Sequence, residues 1–258
     1  MRRLARRVNV PGLLVFAALL GAWELAIRTG LLELRFMSPP SEIAVALWEL
    51  VESGELASNT GHTLRSVLIG WGMASAGGVL VGTLLGLWRP AWVFSLASID
   101  FSRSLPSIAL VPPAILIFGF SLKMELMVIV YAAIWPVIVN TIGGIRQVPG
   151  ELRDVARTFR LSRIGEAWKI VLPAAAPTIV VGLRLAMGIS LIVAIVAEMI
   201  GNPAGLGYAM IFQQQAVQPD AMFAYILAIG FLGVALNAVL VALTRLLRPV
   251  QVIEAAAR

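Results

Sequence analysis

Six long apolar runs constrain this chain more than any other feature of its sequence. They cover residues 10–32, 62–88, 94–120, 124–145, 173–200 and 222–247. A helix that crosses a bilayer needs about 20 apolar residues, so each run is long enough to span a membrane. Only 13% of the residues are charged, whereas soluble proteins carry about 25%. The sequence therefore predicts an all-α integral membrane protein with six transmembrane helices.

We expect residues 1–258 to form a single transmembrane domain. Its expected parts are an N-terminal tail with the first helix (1–32), an outer amphipathic segment (33–61), helices 2 to 6 (62–247) and a cytoplasmic tail (248–258). A pair of short cytoplasmic helices at 150–172 is expected between helices 4 and 5. The arginine-rich start is similar to a signal peptide, but no Ala-x-Ala cleavage site follows it. Glu24 and Arg28 also interrupt the first apolar run. We therefore expect the first helix to be retained, with these two charges forming a local ion pair.

The basic residues predict the orientation of the spans. If the N-terminus lies inside, the outer segments hold only Arg35, Arg65 and Lys123. The inner segments then hold Arg2, Arg3, Arg6, Arg7, Arg89, Arg146, Arg153, Arg157, Arg160, Arg163, Lys169, Arg245, Arg248 and Arg258. Basic residues favour cytoplasmic segments. Both termini are therefore predicted to be cytoplasmic.

The residue types that are missing exclude several functions. The sequence has no cysteine, and His62 is its one histidine, which excludes thiol chemistry, cysteine-ligated metals and two-histidine metal motifs. Neither Lys123 nor Lys169 follows a glycine, which excludes a phosphate-binding P-loop. We predict no catalytic residue, no metal and no cofactor bound by this chain. Nucleic-acid binding is not expected either, because the net charge of +6 is accounted for by the orientation of the spans.

A polar segment at residues 146–169 interrupts the apolar runs on the predicted cytoplasmic side. Two sets of apolar residues recur there at helical spacing: Leu152, Val155, Ala156 and Phe159, then Ile164, Ala167, Trp168 and Val171. Each set predicts one stripe of a short amphipathic helix, and Ser162 is placed to cap the second. Such a pair could dock on a partner protein or lie on lipid headgroups. The residues alone favour neither alternative.

The spacing within this segment resembles the cytoplasmic signature of permease subunits of ATP-binding-cassette importers. That signature reads Glu-Ala-Ala, three residues, Gly, nine residues and Ile-x-Leu-Pro. Here Asp154-Val155-Ala156, Arg160 and Ile170-Val171-Leu172-Pro173 stand at the same spacing. A glycine at the position of Arg160 would end the first helix in a left-handed conformation without steric cost. We therefore expect a different turn here, or a first helix that runs on to Leu161.

Further stretches resemble the nitrate, sulfonate and taurine branch of that family. They are Arg103–Pro112 with Phe118-Gly119, Asn140-Thr141, Gly182-Leu183-Arg184, Ala197-Glu198-Met199 and Gly205-Leu206-Gly207. The resemblance implies the type I importer permease fold, with residues 150–172 as coupling helices. It implies an inner-membrane subunit that forms the path of a small polar or anionic solute. It also implies three kinds of partner: a cytoplasmic ATPase dimer that binds ATP and Mg, a second permease subunit of identical or related sequence, and an extracytoplasmic substrate-binding protein. By this resemblance, the ATPase-docking residues are Asp154, Val155, Ala156, Arg157, Phe159, Arg160, Gly165 and Trp168.

Five residues are candidates for lining the path: Arg103, Pro106, Arg184, Glu198 and Gln213. Charges inside a membrane are candidates for function, and prolines in a span favour a broken helix beside a water-filled cavity. Each residue also has a structural alternative. Arg103 could pair with Asp100, Pro106 could mark a packed kink, and Arg184 could anchor a subunit interface.

Two further expectations concern packing. Gly70, Ala74, Gly78, Gly82 and Gly86 recur every four residues, which predicts close helix packing within the subunit rather than between subunits. His62 is expected to be an exposed residue at a helix start.

Two other functions remain as alternatives. A secondary transporter without an ATPase partner would need internal repeats and coupled carboxylates, and a membrane enzyme would need a catalytic cluster.

Overall fold

The computed structural model describes residues 10–30 and 36–246, and all elements below lie within these ranges. The expected N-terminal tail (1–9), part of the outer segment (31–35) and the expected C-terminal tail fall outside the described residues. The α-helices of the described chain are α1 (Val10–Arg28), α2 (Pro40–Glu52), α3 (Glu55–Leu87), α4 (Arg89–Ser104), α5 (Val111–Phe118), α6 (Leu122–Arg146), α7 (Gly150–Thr158), α8 (Arg163–Glu166), α9 (Leu172–Gly201), α10 (Leu206–Gln215) and α11 (Pro219–Leu246). A 3-10 turn at Ser107–Leu110 precedes α5, and a π-helical turn at Ala167–Val171 joins α8 to α9.

Most of the predicted spans are helices of membrane-crossing length. Among the described residues, four helical stretches are long and apolar enough to cross a membrane, and α4 with α5 makes a fifth if the bent pair is one span. The first predicted span forms α1, which is not among these. Its 19 residues extend about 28 Å at 1.5 Å per residue, close to the roughly 30 Å thickness of the hydrocarbon core. The predicted all-α membrane fold is confirmed.

The third span is broken where the sequence predicts a break. The helices on either side of Leu105 and Pro106 are bent by 80°. Leu105 has extended backbone angles, because the ring of a following proline disfavours the helical conformation. The Ser102 carbonyl, near the end of α4, accepts a hydrogen bond from the Leu105 N–H at 3.4 Å. Tyr131 on α6 also donates its hydroxyl to this carbonyl, at 2.5 Å.

The predicted small-residue row on α3 packs against α6 and holds the centre of the fold together. A Cβ atom added to Gly78 would lie 2.6 Å from Val137 Cβ, and one added to Gly82 would lie 2.6 Å from Thr141 Cβ. Side chains on α6 therefore fill the space that the α3 glycines leave open. The row packs within the subunit, as predicted, and we call this contact the α3–α6 seam. On its other side, α6 meets α9 through Gly144, where an added Cβ would lie 3.0 Å from the carbonyl oxygen of Ala175.

The helix α1 is joined to α2 by one carboxylate. Glu24 accepts hydrogen bonds from the Ser41 backbone N–H at 3.0 Å, from the Ser41 hydroxyl at 2.7 Å and from Arg28 Nε at 2.5 Å. Ser41 lies in the first turn of α2, where backbone N–H groups have no partner within the helix. The local ion pair is confirmed, and its carboxylate also caps α2.

Candidate functional site

The first half of the polar segment forms α7 and ends in a glycine-like turn built around an arginine. Arg160 has a φ of +48°. Its backbone N–H donates to the carbonyl of Arg157 at 2.9 Å, and the N–H of Leu161 donates to the carbonyl of Ala156 at 3.0 Å. These two bonds make a Schellman motif, the usual ending for a helix with glycine at this position. The expectation of a different turn was wrong, because Arg160 adopts the left-handed conformation itself.

The apolar residues of α7 do not all face the same way. Ala156 is buried, whereas Phe159 is 73% exposed and Leu152 is 40% exposed. Val155 lies in α7, but its side chain is outside the described residues. Arg153 Nη2 donates to the carbonyl of Ile145 at 3.2 Å and so fixes α7 to the end of α6. The predicted single stripe is thus divided between an inner contact and an exposed aromatic ring.

The second half of the segment begins with the predicted cap and continues into a long span. Ser162 Oγ accepts a hydrogen bond from the backbone N–H of Gly165 at 3.1 Å. The π-helical turn then carries the chain into α9, so the helix does not stop at Pro173. A π-helical turn holds more residues than an α-turn. Here Ala167 and Val171 are buried, whereas Ile164 is 73% and Trp168 70% exposed. The expectation of one continuous stripe was therefore wrong for the second helix as well.

The exposed apolar residues of the segment stand among charged side chains. Asp154 accepts a hydrogen bond from Arg157 Nη1 at 3.1 Å, and both side chains are largely exposed. Arg160 is also exposed. Between the segment and α3 lies an apolar groove of about 1120 Å³, to which Ile164, Trp168 and Arg163 contribute.

A second cavity lies beside the break in the third span. It measures about 640 Å³, and its lining includes Asp100, Arg103, Trp135, Pro136 and Asn140. Arg103 Nη2 lies 2.9 Å from Asp100 Oδ1, so the two form the pair that the sequence allowed. Both side chains remain more than half exposed. Pro106 is exposed and lies at the break itself.

Two of the other three candidates, Arg184 on α9 and Gln213 on α10, lie apart from this cavity. Arg184 is on the exposed side of α9 together with Leu185 and Gly188. Gln213 on α10 is half-buried, and its Oε1 atom is buried without a hydrogen-bond partner.

Glu198 is buried at the end of the bundle opposite α7 and α8. Its side chain is among the most deeply buried of the described residues, at 1% exposure. Oε2 accepts hydrogen bonds from Thr63 Oγ1 at 3.0 Å and from the Gly207 N–H at 2.9 Å. Thr63 in turn accepts a hydrogen bond from the Leu206 N–H at 2.9 Å. Glu198 and Thr63 together cap the N-terminus of α10, and Gly205 lies so close that any Cβ there would overlap the carboxylate.

A second carboxylate, Glu125, lies in the same polar cluster and was not predicted. Its Oε1 atom is 3.0 Å from His62 Nε2 and also accepts a hydrogen bond from Asn202 Nδ2. Asn202 Nδ2 is 3.1 Å from His62 Nε2. His62 is 27% exposed at its side chain and lies two turns into α3, so the expectation of an exposed helix-start residue was wrong. The sequence signal that points to Glu125 is a lone carboxylate at the start of an apolar run.

Long apolar helices, with one bent pair and a polar segment between two spans, define a multi-span membrane protein. The chain belongs to the family of binding-protein-dependent transport system inner membrane components, whose sequence profile matches residues 78–250.

Named relatives cover most of the chain. It is 30% identical over 224 residues to the Bacillus subtilis permease protein SsuC, named for aliphatic sulfonates transport, covering 87% of this chain and 81% of that protein. It is 29% identical to the nitrate import permease protein NrtB of Leptolyngbya laminosa, covering 90% and 85% of the two chains. It is 35% identical over 172 residues to the bicarbonate transport system permease protein CmpB of Synechococcus elongatus, covering 66% and 61%.

A solved structure shows the same fold. An inward-facing structure of the MetNI methionine ABC transporter contains a chain that superposes with a TM-score of 0.60 at 17% identity. The superposition covers 76% of this chain and 96% of that one. The fold is therefore that of an importer permease.

Proposed function

We propose that this chain is the transmembrane subunit of an ATP-driven importer and forms the path for a small anionic solute of the sulfonate, nitrate or bicarbonate kind. The observation that carries the proposal is the pair of exposed aromatic residues, Phe159 and Trp168, on a segment that interrupts the spans. Family membership and the names of the relatives support the solute class. ATP and Mg are bound by a partner ATPase, and this chain performs no hydrolysis.

The docking surface consists of Asp154, Val155, Ala156, Arg157, Phe159, Arg160, Gly165 and Trp168. Aromatic and arginine side chains that become buried on binding dominate the binding energy at protein interfaces. Phe159 and Trp168 are aromatic and exposed in this subunit, so a partner can bury them. Ala156 faces the bundle instead, and Gly165 supplies the N–H that Ser162 caps. These two residues hold the surface in shape.

The path follows the cavity beside the broken third span. Arg103 supplies a positive charge there, and Asn140 and Trp135 supply polar groups. An anion passing this point would compete with Asp100 for the guanidinium group, which binds oxyanions as well as carboxylates. Pro106 produces the break that opens the cavity. Glu198 and Gln213 contribute to the shape of the opposite, outer end of the path.

A second permease subunit covers the side of α9 that this chain leaves exposed. Arg184 and Leu185 project from that side, and Gly188 allows close approach because a Cβ added there would contact nothing within 4 Å. The subunit has an identical or related sequence. A binding protein delivers the solute at the outer end, and both termini lie on the cytoplasmic side with the docking surface.

The docking proposal is tested by recovering the ATPase with the chain. The tagged chain is extracted from its native membrane in a mild detergent, and co-purified proteins are identified by mass spectrometry. We expect an ATPase with a Gly-x-x-x-x-Gly-Lys-Ser/Thr motif, and we expect Trp168→Ala and Asp154→Arg to lose it. The control is Phe94→Ala, because Phe94 on α4 is 84% exposed and lies outside the segment. Equal recovery with Trp168→Ala, Asp154→Arg and Phe94→Ala would contradict the docking surface.

The path proposal is tested by solute uptake. Arg103→Gln should lower the uptake of the transported anion at least about tenfold, the effect of losing a charge-assisted hydrogen bond of roughly 1.5–3 kcal/mol. Arg65→Gln on α3 is the control, since Arg65 is exposed and lies outside the cavity. Unchanged uptake by Arg103→Gln, in an assembly that retains its ATPase, would remove Arg103 from the path.

A further inference from the structure

Three side chains with metal-binding atoms meet at the end of the bundle opposite the docking surface. They come from three different helices: His62 from α3, Glu125 from α6 and Glu198 from α9. One donor atom from each lies within 4.8 Å of a donor atom of the other two. Imidazole nitrogen with two carboxylate oxygens is a ligand set that divalent metals such as Zn²⁺ and Mn²⁺ accept.

Both carboxylates have one oxygen engaged by the protein and one left over. Glu125 uses Oε1 for Asn202 and His62, and Glu198 uses Oε2 for Thr63 and Gly207. Glu125 Oε2 and Glu198 Oε1 are buried and have no hydrogen-bond partner. The two residues are 0% and 1% exposed. Burying an acceptor without a partner is costly, and burying two neighbouring negative charges without a cation costs more.

Among the described residues, His62 is the one basic side chain paired with either carboxylate. Among residues 10–30 and 36–246, no lysine or arginine forms an ion pair with Glu125 or Glu198. His62 Nε2 lies between a carboxylate oxygen at 3.0 Å and the Asn202 amide nitrogen at 3.1 Å. In a neutral imidazole this nitrogen either donates to the carboxylate or accepts from the amide, and cannot do both. The Asn202 amide already donates to Glu125 Oε1, so His62 Nε2 is not needed as its acceptor and can give its lone pair to a cation.

We propose that His62, Glu125 and Glu198 bind a single divalent metal ion of the Zn²⁺ or Mn²⁺ class. The ligand–ligand separation of a tetrahedral site with bonds of about 2.1 Å is roughly 3.4 Å. The donors, within 4.8 Å of one another, close by up to about 1.4 Å (4.8 minus 3.4) around the ion. Access comes from His62, whose side chain is 27% exposed, and from a cavity of about 290 Å³ that is lined in part by Glu198 and Asn202. The ion fixes α3, α6 and α9 to one another at this end of the bundle.

The site is tested by metal binding to the purified full-length chain in detergent. The chain is treated with a chelator, dialysed, and titrated with Mn²⁺ while the electron paramagnetic resonance signal of the free ion is recorded, and separately with Zn²⁺ by calorimetry. We expect about one ion bound per chain and a higher melting temperature of the metal-loaded protein, since a ligand that binds only the folded state stabilises it. A wild-type chain that binds neither ion would overturn the proposal and leave a shared proton to neutralise the carboxylates.

Variants locate the ion. Glu125→Gln and His62→Gln preserve size and hydrogen bonding while removing a strong ligand. Each should weaken metal binding more than about tenfold, because changing even a residue that only supports a metal ligand costs about tenfold or more in affinity. Glu49→Gln on α2 is the control, because Glu49 is exposed and α2 contributes no residue to the cluster. If a variant does not fold, the wild-type chain is used instead. Mn²⁺ bound to it should show hyperfine coupling to a directly coordinated imidazole nitrogen. Equal affinity in all three variants, or bound Mn²⁺ without imidazole nitrogen, would place the ion elsewhere and refute the site.

Discussion

The α3–α6 seam makes a sharp prediction for Gly78→Ala. The added Cβ would lie 2.6 Å from Val137 Cβ, 2.8 Å from Val137 Cγ1 and 3.2 Å from the Ile134 carbonyl oxygen. Ordinary contact begins at 3.4 Å, so α3 and α6 must separate by about 0.8 Å (3.4 minus 2.6) at this level. A gap of that size forfeits roughly a quarter to a half of the dispersion attraction at neighbouring contacts. Overpacking of this kind costs about 1–3 kcal/mol.

The assay is thermal unfolding of the purified chain in detergent, with tryptophan fluorescence as the signal. The matched control is Gly72→Ala, on the same helix, where an added Cβ meets nothing within 4 Å. Both variants gain the higher helix propensity of alanine, about 1 kcal/mol. The difference between them therefore isolates the overlap. We expect Gly78→Ala to melt about 2–12 °C below Gly72→Ala, at about 2–4 °C per kcal/mol for a chain of this size.

A double variant checks the cause. Val137→Gly removes the α6 side chain that a Cβ at position 78 would overlap. The double variant Gly78→Ala with Val137→Gly should therefore be more stable than the sum of the two single changes by about 0.5–3 kcal/mol, the coupling typical of residues in contact. Equal melting of Gly78→Ala and Gly72→Ala, or strict additivity in the double variant, would refute close packing at the seam.

Three further substitutions test the unusual backbone positions. Arg160→Gly should stabilise the end of α7 by about 1 kcal/mol, because a left-handed conformation is costly for a residue with a Cβ, and hydrogen exchange of the amides at 157–161 should slow severalfold. Val217 also has a left-handed conformation, with a φ of +58°, so Val217→Gly should slow hydrogen exchange of the amides at the end of α10. Faster exchange in Arg160→Gly or Val217→Gly would contradict the left-handed conformation at that residue. Gly205→Ala should lower the melting temperature more than Gly54→Ala does. Both glycines have positive φ, but only the new Cβ at position 205 would overlap Glu198, so equal losses would show that the carboxylate lies elsewhere.

Features that depend on nearby residues could be predicted from the sequence. The seam follows from a four-residue repeat that puts Gly78 and Gly82 on one side of a helix. The break in the third span follows from the backbone restrictions of Pro106. The cap at Ser162 follows from the preference of serine for that position. Each prediction needed only one helix or one turn, and the structure confirms each of them.

Features that bring polar residues of several helices together, or that change the helical period, could not be predicted. The polar cluster joins His62, Glu125 and Glu198, which come from three different helices. In the sequence, each is a lone polar residue near the edge of an apolar run. His62 was misplaced because α3 begins at Glu55, seven residues before the apolar run, and so carries the imidazole into the bundle. The stripe with Ile164 and Trp168 was misjudged because a π-helical turn changes the periodicity after Glu166, and a period of 3.6 cannot anticipate that change.

The seam also determines how force applied at the docking surface would spread through the subunit. The end of α6 is fixed to α7 by the hydrogen bond from Arg153 to the Ile145 carbonyl. Along the seam, α3 has no side chain that could rotate to accommodate a movement of α6 relative to α3. We therefore expect α3 and α6 to travel as one rigid body, with the compliance of the subunit concentrated at the 80° bend after α4. A covalent cross-link between α3 and α6 would then leave the transport cycle running, whereas one between α4 and α6 would stop it.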